Sequence, residues 1–314
     1  MPKILINDGI HPSGLKKLEE AGFEVDNIKI AQDDLIEKLP AYDAICVRSA
    51  TKVRQDLIDK CPNLKVIGRG GVGLDNIDVD HAKQKGIAVV NTPAASSRSV
   101  AELAFGHLLS IARFVYKSNR HMPQDGASEF KALKKSYSKG FELKGKTLGV
   151  IGLGRIGQES IKMAYGLGMD VLGVDPYAKD VKVSMNVGGT DLTIPVKQVA
   201  MDEMLSQADV ITLHIPFTGA PVLSTTEFSK MKDGVVLINA SRGGTVDEAA
   251  LLAALDSDKV LAAGIDVYEN EPTPREDLLK HPNVSCTPHI GASTGEAQEN
   301  IGLELANRLI SELG

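Results

Sequence analysis

Short aliphatic and β-branched runs alternate with segments of helical period along nearly the whole chain. Continuous apolar runs at Lys3 to Asn7, Ala44 to Val47, Leu64 to Ile67, Ile87 to Asn91, Thr147 to Ile151, Val171 to Val174, Val210 to His214, Val235 to Asn239 and Leu261 to Asp266 predict strands. Because these runs do not alternate with polar residues, they predict strands covered on both faces, as in parallel sheets flanked by helices. The expected fold class is α/β, doubly wound. The strands fall into two groups separated by one predicted helix, Ser97 to Lys117, whose Val100, Leu103, Ala104, His107, Leu108 and Ile111 follow a helical apolar period. The polar stretch Asn119 to Gly140, with Lys131, Lys134, Lys135 and Lys139, predicts a surface arm or loop and a place for a subunit contact. Val181 to Val196 alternates around Gly188-Gly189, which predicts a β-hairpin of unassigned role. Thr294 to Leu313 is helical in pattern.

The length of 314 residues exceeds what one hydrophobic core usually supports, so two domains, or one large α/β unit with an excursion, are expected. A net charge of −6 without long like-charge blocks argues against a partner held by its phosphate backbone, so no nucleic acid is expected. No apolar run approaches a membrane span, and the start Met-Pro-Lys-Ile-Leu-Ile-Asn-Asp lacks a signal-peptide pattern; no membrane association and a cytoplasmic location are expected. Cys46, Cys61 and Cys286 are widely and irregularly spaced and read as reduced core thiols, with no metal site.

Two glycine-rich segments fit G-x-G-x-x-G. Gly152-Leu-Gly154-Arg-Ile-Gly157 follows the strand Thr147 to Ile151 and opens a predicted helix from Gln158 to Gly166. The next strand ends at Asp175, about twenty residues on, where an acid accepts hydrogen bonds from ribose hydroxyls and repels a 2′-phosphate, so NAD is favoured over NADP. Gly68-Arg-Gly70-Gly-Val-Gly73 matches the same pattern after the strand Leu64 to Ile67, but the strand after it ends at Asn91, with no acid for a ribose. It is either a chance glycine-rich strand end or a set of backbone N–H groups facing a smaller anion such as a substrate carboxylate.

Three late strand ends carry polar residues that a plain core does not need: Asn239-Ala-Ser-Arg242-Gly-Gly, Asp266-Val-Tyr-Glu269-Asn-Glu271-Pro272 and Thr287-Pro-His289-Ile-Gly291. In an open α/β sheet ligands bind beyond the carboxyl ends of the strands, so these loops are expected to converge with the Gly152 loop. Reduction of a 2-oxo acid needs a cation for the carboxylate and ketone, a proton donor, and a carboxylate that orients the donor; Arg242, His289 and Glu271 are of those types. Each also has an ordinary structural explanation, as a salt-bridged arginine, a turn histidine and a turn-opening Glu-Pro. His214, ending the strand Val210 to His214, is a competing donor; His11, His81, His107, His121 and His281 receive no role.

With these residues in place, the chain resembles the D-isomer-specific 2-hydroxyacid dehydrogenases over essentially its full length. The likeness rests on Val47-Arg-Ser-Ala-Thr-Lys-Val53, Gly68 through Asp75-Asn-Ile-Asp78, Asn91-Thr-Pro93 with Arg98-Ser-Val-Ala-Glu102, Gly149 to Gly157, Asn239-Ala-Ser-Arg242-Gly and Thr287-Pro-His-Ile-Gly291. The resemblance implies a Rossmann NAD-binding domain, residues 99–290, inserted into a flavodoxin-like substrate-binding lid formed by residues 1–98 and 291–314. It implies His289 as acid/base, Glu271 as its partner and Arg242 as substrate-binding and catalytic. It places Gly152, Gly154, Arg155, Ile156, Gly157, Asp175, His214, Ile215, Pro216, Ala240, Ser241 and Gly291 on NAD, with Asp266 on the nicotinamide carboxamide. It further implies a substrate carboxylate on the backbone near Val72 and Gly73, and a homodimer through the long helix and the following arm.

Within the family the nearest likeness is to members that oxidise 3-phospho-D-glycerate to 3-phosphohydroxypyruvate in serine biosynthesis. Arg48, next to Ser49, and Arg69 are the implied phosphate partners, Arg48 having a local carboxylate as its alternative partner. Lys134 or Lys135 could reach a neighbouring subunit's site. Many such members continue into a serine-binding regulatory domain, whereas this sequence ends at Gly314, so a short form is expected. Glu271 argues against formate dehydrogenase, whose histidine is paired with Gln. The alternatives are a hydroxypyruvate or glyoxylate reductase, or another D-2-hydroxyacid dehydrogenase, and, outside catalysis, an NADH-sensing scaffold like corepressors of this fold.

Overall fold

The apolar runs form two parallel sheets in a computed structural model that describes all 314 residues. The chain divides into two compact units, one made of Met1–Ser99 with Ala292–Gly314 and the other of Val100–Gly291.

In the first unit, β1 (Lys3–Ile6), β2 (Glu24–Asp26), β3 (Ala44–Val47), β4 (Val66–Arg69) and β5 (Ala88–Asn91) lie in the order β2-β1-β3-β4-β5, all parallel. This is the flavodoxin-like order, with the switch point between β1 and β3. One face buries Leu5, Ile45 and Ile67 against Leu35, Leu39, Leu57 and Ile58. The other buries Ile4, Ile6, Cys46 and Val66 against Leu18 and against Leu305 and Leu309 of the last helix, Gly295–Leu313, which Thr294 caps by accepting from Ala297 N–H. Burial on both faces explains why these strands read as unbroken apolar runs. The strand expected at Leu64 to Ile67 lies two residues later, so Gly68 and Arg69 sit inside the ladder, paired with Val90 and Asn91 of β5. Cys46 and Cys61 are buried free thiols, and burial pushes them up, Cys46 to about 12 and Cys61 to about 11.

In the second unit, β6 (Thr147–Ile151), β7 (Asp170–Val174), β10 (Val210–Leu213), β11 (Val235–Asn239), β12 (Val260–Ile265) and β13 (Val284–Cys286) form a parallel sheet in the order β13-β12-β11-β10-β6-β7. A separate antiparallel pair, β8 (Lys182–Val187) and β9 (Thr190–Pro195), is the expected hairpin, turning at Gly188 and Gly189 with both φ positive. The two large cores of this unit cover the sheet's two faces, Ile211, Leu213, Leu237 and Ile265 on one and Leu148, Val150, Val236 and Ile238 on the other.

Two expectations fail here. The long helix ends at Ala112; Phe114 adopts a left-handed conformation (φ 56°), and a second helix, Val115–Asp125, starts after it. The polar stretch expected to be an arm or loop is largely helical, through Val115–Asp125 and Phe130–Ser136. Neither helix buries a residue, so no apolar stripe marks it in the sequence. No helix is long and apolar enough to cross a membrane, and no group of three or more His, Cys, Asp or Glu side chains is disposed to hold a metal ion.

Candidate active site

The glycine loop of the second unit sits where the strand order reverses, between β6 and β10. Gly152 has φ 94°, and a Cβ there would overlap the His214 carbonyl at the end of β10; a Cβ on Gly157 would overlap the Gly152 carbonyl. The helix opens three residues earlier than expected, at Arg155, with Gly154 as its N-cap. Its first N–H groups lack intrahelical acceptors, and around Gly154 nothing occupies the space within 4 Å of a Cβ position. Arg155 is exposed and Ile156 half-buried on this first turn. The Asp175 carboxylate lies past the end of β7, accepting from Leu153 N–H at 2.9 Å, Tyr177 N–H at 2.8 Å and Ala178 N–H at 3.1 Å. Burial pushes its carboxyl up, but these three donors outweigh that and hold it below the usual range. A bare donor-rich turn beside an ionised acid fits a pyrophosphate and a ribose.

His214 faces away from proton chemistry. Its Nε2 lies 2.9 Å from Ser160 Oγ and 3.2 Å from Thr212 Oγ1, its Nδ1 is buried, and burial pushes the ring down to about 3, so it stays neutral. Beyond it, Ile215 is half-buried and Pro216 exposed.

The loop after β11 is held by one side chain. Asn239 Oδ1 accepts from Ser241 N–H and O–H, while its amide donates to Thr245 Oγ1 and to the Arg242 carbonyl. Ala240 and Ser241 are thereby buried, and the half-buried Arg242 donates through Nη1 to the Ser241 carbonyl at 2.7 Å.

His289 Nδ1 lies 2.8 Å from Glu271 Oε2, and Glu271 Oε1 accepts from Tyr268 N–H at 3.0 Å. Burial pushes the Glu271 carboxyl up; the bonds from His289 and Tyr268, with the nearby charge of Arg242, more than reverse this and keep it ionised below its ordinary value. Such a carboxylate fixes which ring nitrogen carries the proton, leaving Nε2 to exchange one with a substrate. Both residues line a pocket of about 410 Å³ with Tyr268, Pro272, Pro274, Leu279, Cys286, Thr287 and Pro288. His289 has φ 54°, a conformation that costs energy in a non-glycine residue and persists only where its surroundings fix it.

Those surroundings centre on Asp266, which is only 1% exposed. Its Oδ1 accepts from Thr287 O–H at 2.6 Å and Ile290 N–H at 2.8 Å, and its Oδ2 from Gly291 N–H at 2.9 Å. The structure therefore engages both Asp266 oxygens in shaping the loop that carries His289. His107, which no motif marks as functional, completes this network at 4% exposure, with Nε2 2.9 Å from Thr287 Oγ1 and Nδ1 2.9 Å from Ser285 Oγ. Since the Thr287 hydroxyl donates to Asp266, His107 Nε2–H donates to Thr287, which fixes the tautomer. Burial lowers the His107 imidazole, against the smaller opposing effect of Asp266, so it serves as a neutral bridge.

The first unit carries the remaining candidates. A pocket of about 580 Å³ opens at the β1/β3 switch point, lined in part by Asp8, Lys29, Arg48 and Ser49. Arg48 Nη1 donates to Gln298 Oε1 at 2.7 Å, and the Gln298 amide donates to the Ala292 carbonyl at 2.6 Å. Asp8, 5% exposed at its side chain, accepts from Arg48 N–H, Thr51 N–H and Thr51 O–H, and so pins the Arg48–Thr51 turn. Neither Gln298 nor Asp8 was legible as a site residue. Arg69 folds over Gly71, whose added Cβ would overlap the guanidinium. Asn91 holds the Val72 carbonyl at 2.6 Å, with Val72 and Gly73 half-buried beyond it.

Comparison with known proteins gives this arrangement its context. Residues 105–291 match the D-isomer specific 2-hydroxyacid dehydrogenase, NAD binding domain. The chain is 44% identical to the hydroxypyruvate reductase of Thermotoga maritima, over 99% of this chain and 98% of that protein. It is also 44% identical to the D-3-phosphoglycerate dehydrogenase of Methanocaldococcus jannaschii, over 98% of this chain and 57% of that protein. Among solved structures, a glyoxylate reductase from Paecilomyes thermophila superposes with a TM-score of 0.82 at 30% identity, covering 99% of this chain and 94% of that one. The chain therefore belongs to the D-isomer specific 2-hydroxyacid dehydrogenases, oxidoreductases whose NAD-binding domain it carries in its second unit.

Proposed function

We propose that the protein oxidises 3-phospho-D-glycerate to 3-phosphohydroxypyruvate, reversibly and with NAD in preference to NADP. One observation carries the phosphate part. Arg48 follows β3 and Arg69 ends β4, the strands pair Val47 with Arg69, and the side-chain bond seen for Arg48 goes to the neutral Gln298 rather than to a carboxylate. An arginine held by a neutral partner at the end of a strand suits a phosphate dianion through charged, forked hydrogen bonds, and Arg69, at the end of the adjacent strand, is assigned to the same anion. Ser49 and the backbone at Val72 and Gly73 are assigned to the rest of the substrate's anionic groups.

Gly152, Gly154, Arg155, Ile156, Gly157 and Asp175, with Ile215, Pro216, Ala240, Ser241 and Gly291, are assigned to the dinucleotide, which when bound supplies the two-electron acceptor or donor. The protein's own groups handle charge and proton. Arg242 holds the substrate carboxylate and polarises the C2 oxygen. In oxidation His289 Nε2 removes the C2 hydroxyl proton, and in reduction it returns one, while the Glu271 carboxylate offsets the charge this places on the ring. The same reading includes a cytoplasmic homodimer joined through Ser97–Ala112 and the two helices after it.

A second reading is supported by likeness. The hydroxypyruvate reductase of Thermotoga maritima is as similar to this chain, at 44% identity, as the D-3-phosphoglycerate dehydrogenase of Methanocaldococcus jannaschii. NADH consumption by the purified protein decides between them, with 3-phosphohydroxypyruvate compared against hydroxypyruvate, glyoxylate, pyruvate and 2-oxoglutarate. The expected result is a kcat/KM preference for the phosphorylated ketone; preference for hydroxypyruvate establishes the second reading and frees Arg48 from a phosphate role.

A further inference from the structure

Glu248 is an acid that the reaction does not use, buried to 5% exposure at the start of the helix Glu248–Asp256. Its Oε1 accepts from Glu269 N–H at 2.9 Å, and Glu269 Oε1 accepts in return from Glu248 N–H at 3.0 Å. Two acids thus exchange backbone hydrogen bonds across two loops. Glu248 follows, by a few residues, the turn that carries Arg242, and Glu269 lies two residues before Glu271. The two loops also touch directly, since a Cβ on Gly243 would overlap the Tyr268 carbonyl and stand 2.9 Å from Glu269 N. Only glycine lets the Arg242 turn rest on the Tyr268–Glu269 peptide, the peptide next to the N–H that holds Glu271.

We propose that Glu248 and Glu269 are positioning residues, forming a clasp that fixes the loop of Glu271 to the loop of Arg242 and so keeps the proton-handling pair in register with the substrate-binding arginine. The proposal rests on reading Glu271 and His289 as the acid–base pair. Clasping by a carboxyl, rather than by direct backbone pairing, follows from the geometry. β11 and β12 diverge at their ends into loops that do not pair, leaving the Glu269 N–H and the first N–H of the helix needing acceptors. The two acids supply one acceptor each. Burial pushes the Glu248 carboxyl up, and the like charge of Glu269 adds to this against its bond to Glu269 N–H and the pull of Arg275. The clasp uses one oxygen of the Glu248 carboxyl, since its Oε2 is buried and makes no hydrogen bond.

The test is a double-mutant cycle on the full-length protein with NADH, using 3-phosphohydroxypyruvate or hydroxypyruvate, whichever the wild type turns over faster. Glu248→Ala is expected to lower kcat about 10- to 100-fold, the scale of a misplacement of about 1 Å at the reacting groups, with NADH affinity unchanged. Glu248→Gln, which keeps an accepting oxygen on a side chain of the same shape, is expected to restore most of that loss. In a Glu271→Gln background Glu248→Ala is expected to cost nothing further, because its effect passes through Glu271. Losses that multiply in the double variant, or a Gln variant as slow as the Ala variant, overturn the clasp. If Glu271→Gln alone leaves kcat unchanged, the acid–base reading itself is wrong. Should Glu248→Ala fail to fold, Glu269→Ala removes the exposed half of the clasp, and the same cycle with Glu271→Gln applies.

Discussion

The two glycine-rich loops share one sequence pattern and follow strands of the same kind, yet they are different objects. At 152–157 the first glycine lies past the end of β6 in a left-handed conformation, at the switch point of its sheet, and the third lies inside a helix that starts at Arg155. At 68–73 the first glycine is still inside β4, paired with β5, and the next helix begins only at Val79. The switch point of that sheet is elsewhere, between β1 and β3, where Asp8 and Arg48 meet. A phosphate-binding turn is therefore defined by where the strand stops and the helix starts, and the glycines are permissive of that arrangement rather than its cause.

The largest effect expected across this divide is on the proton. His289→Ala should lower kcat by roughly 10²- to 10⁴-fold in steady-state assays, while NADH binding, followed by fluorescence titration, stays intact. Next comes the contrast between the loops. Gly157→Ala forces a methyl into the Gly152 carbonyl and should cost on the order of 1–3 kcal/mol of stability together with NADH binding. Gly70→Ala meets an Ile301 methyl at 3.2 Å, with Arg48 and Leu305 side chains at ordinary contact, and should change both far less in thermal melts and titrations. Equal effects of the two would erase the distinction between the loops.

Arg48→Ala should raise KM for the phosphorylated ketone by roughly 10- to 100-fold, the scale of a lost charged hydrogen bond, and leave NADH affinity and turnover of unphosphorylated ketones nearly unchanged. Equal loss on every substrate would show that Arg48 supports the fold of its turn instead. The smallest effect concerns pH. Glu271 is held below its ordinary value of 4.5, so it contributes stability that is present above that value and lost as pH falls through the lower folded value. The wild type should therefore lose slightly more Tm than Glu271→Gln on acidification below 4.5, a modest difference because both partners are partly solvated.

Much of the architecture was legible in the sequence for one physical reason. Strands buried on two faces cannot hide their apolar content, and Ala44 to Val47, Thr147 to Ile151 and Val235 to Asn239 were read with the ends they have. Helices without a buried face carry no such mark, so most of Val115–Asp125 and all of Phe130–Ser136 lie in the stretch whose polarity predicts an arm or loop. The break at Phe114 lacks the glycine or proline that usually announces one. Reactive groups named by their motifs, such as His289 with Glu271, are found together. Their supports were not legible, because Asp8 reaches Arg48, Gln298 reaches Arg48 and His107 reaches Thr287 across long stretches of chain, and spacing alone encodes none of these contacts.

The return of the last helix to the first unit has a consequence for the order of assembly. Ile4, Ile6, Cys46 and Val66 precede the second unit, but the Leu305 and Leu309 side chains that cover them come from a helix that follows it. The second unit, by contrast, is continuous from Val100 to Gly291 and has every strand of its sheet in hand before those residues are reached. During synthesis the unit that begins first thus closes after the other, with one apolar face of its sheet waiting for the helix Gly295–Leu313.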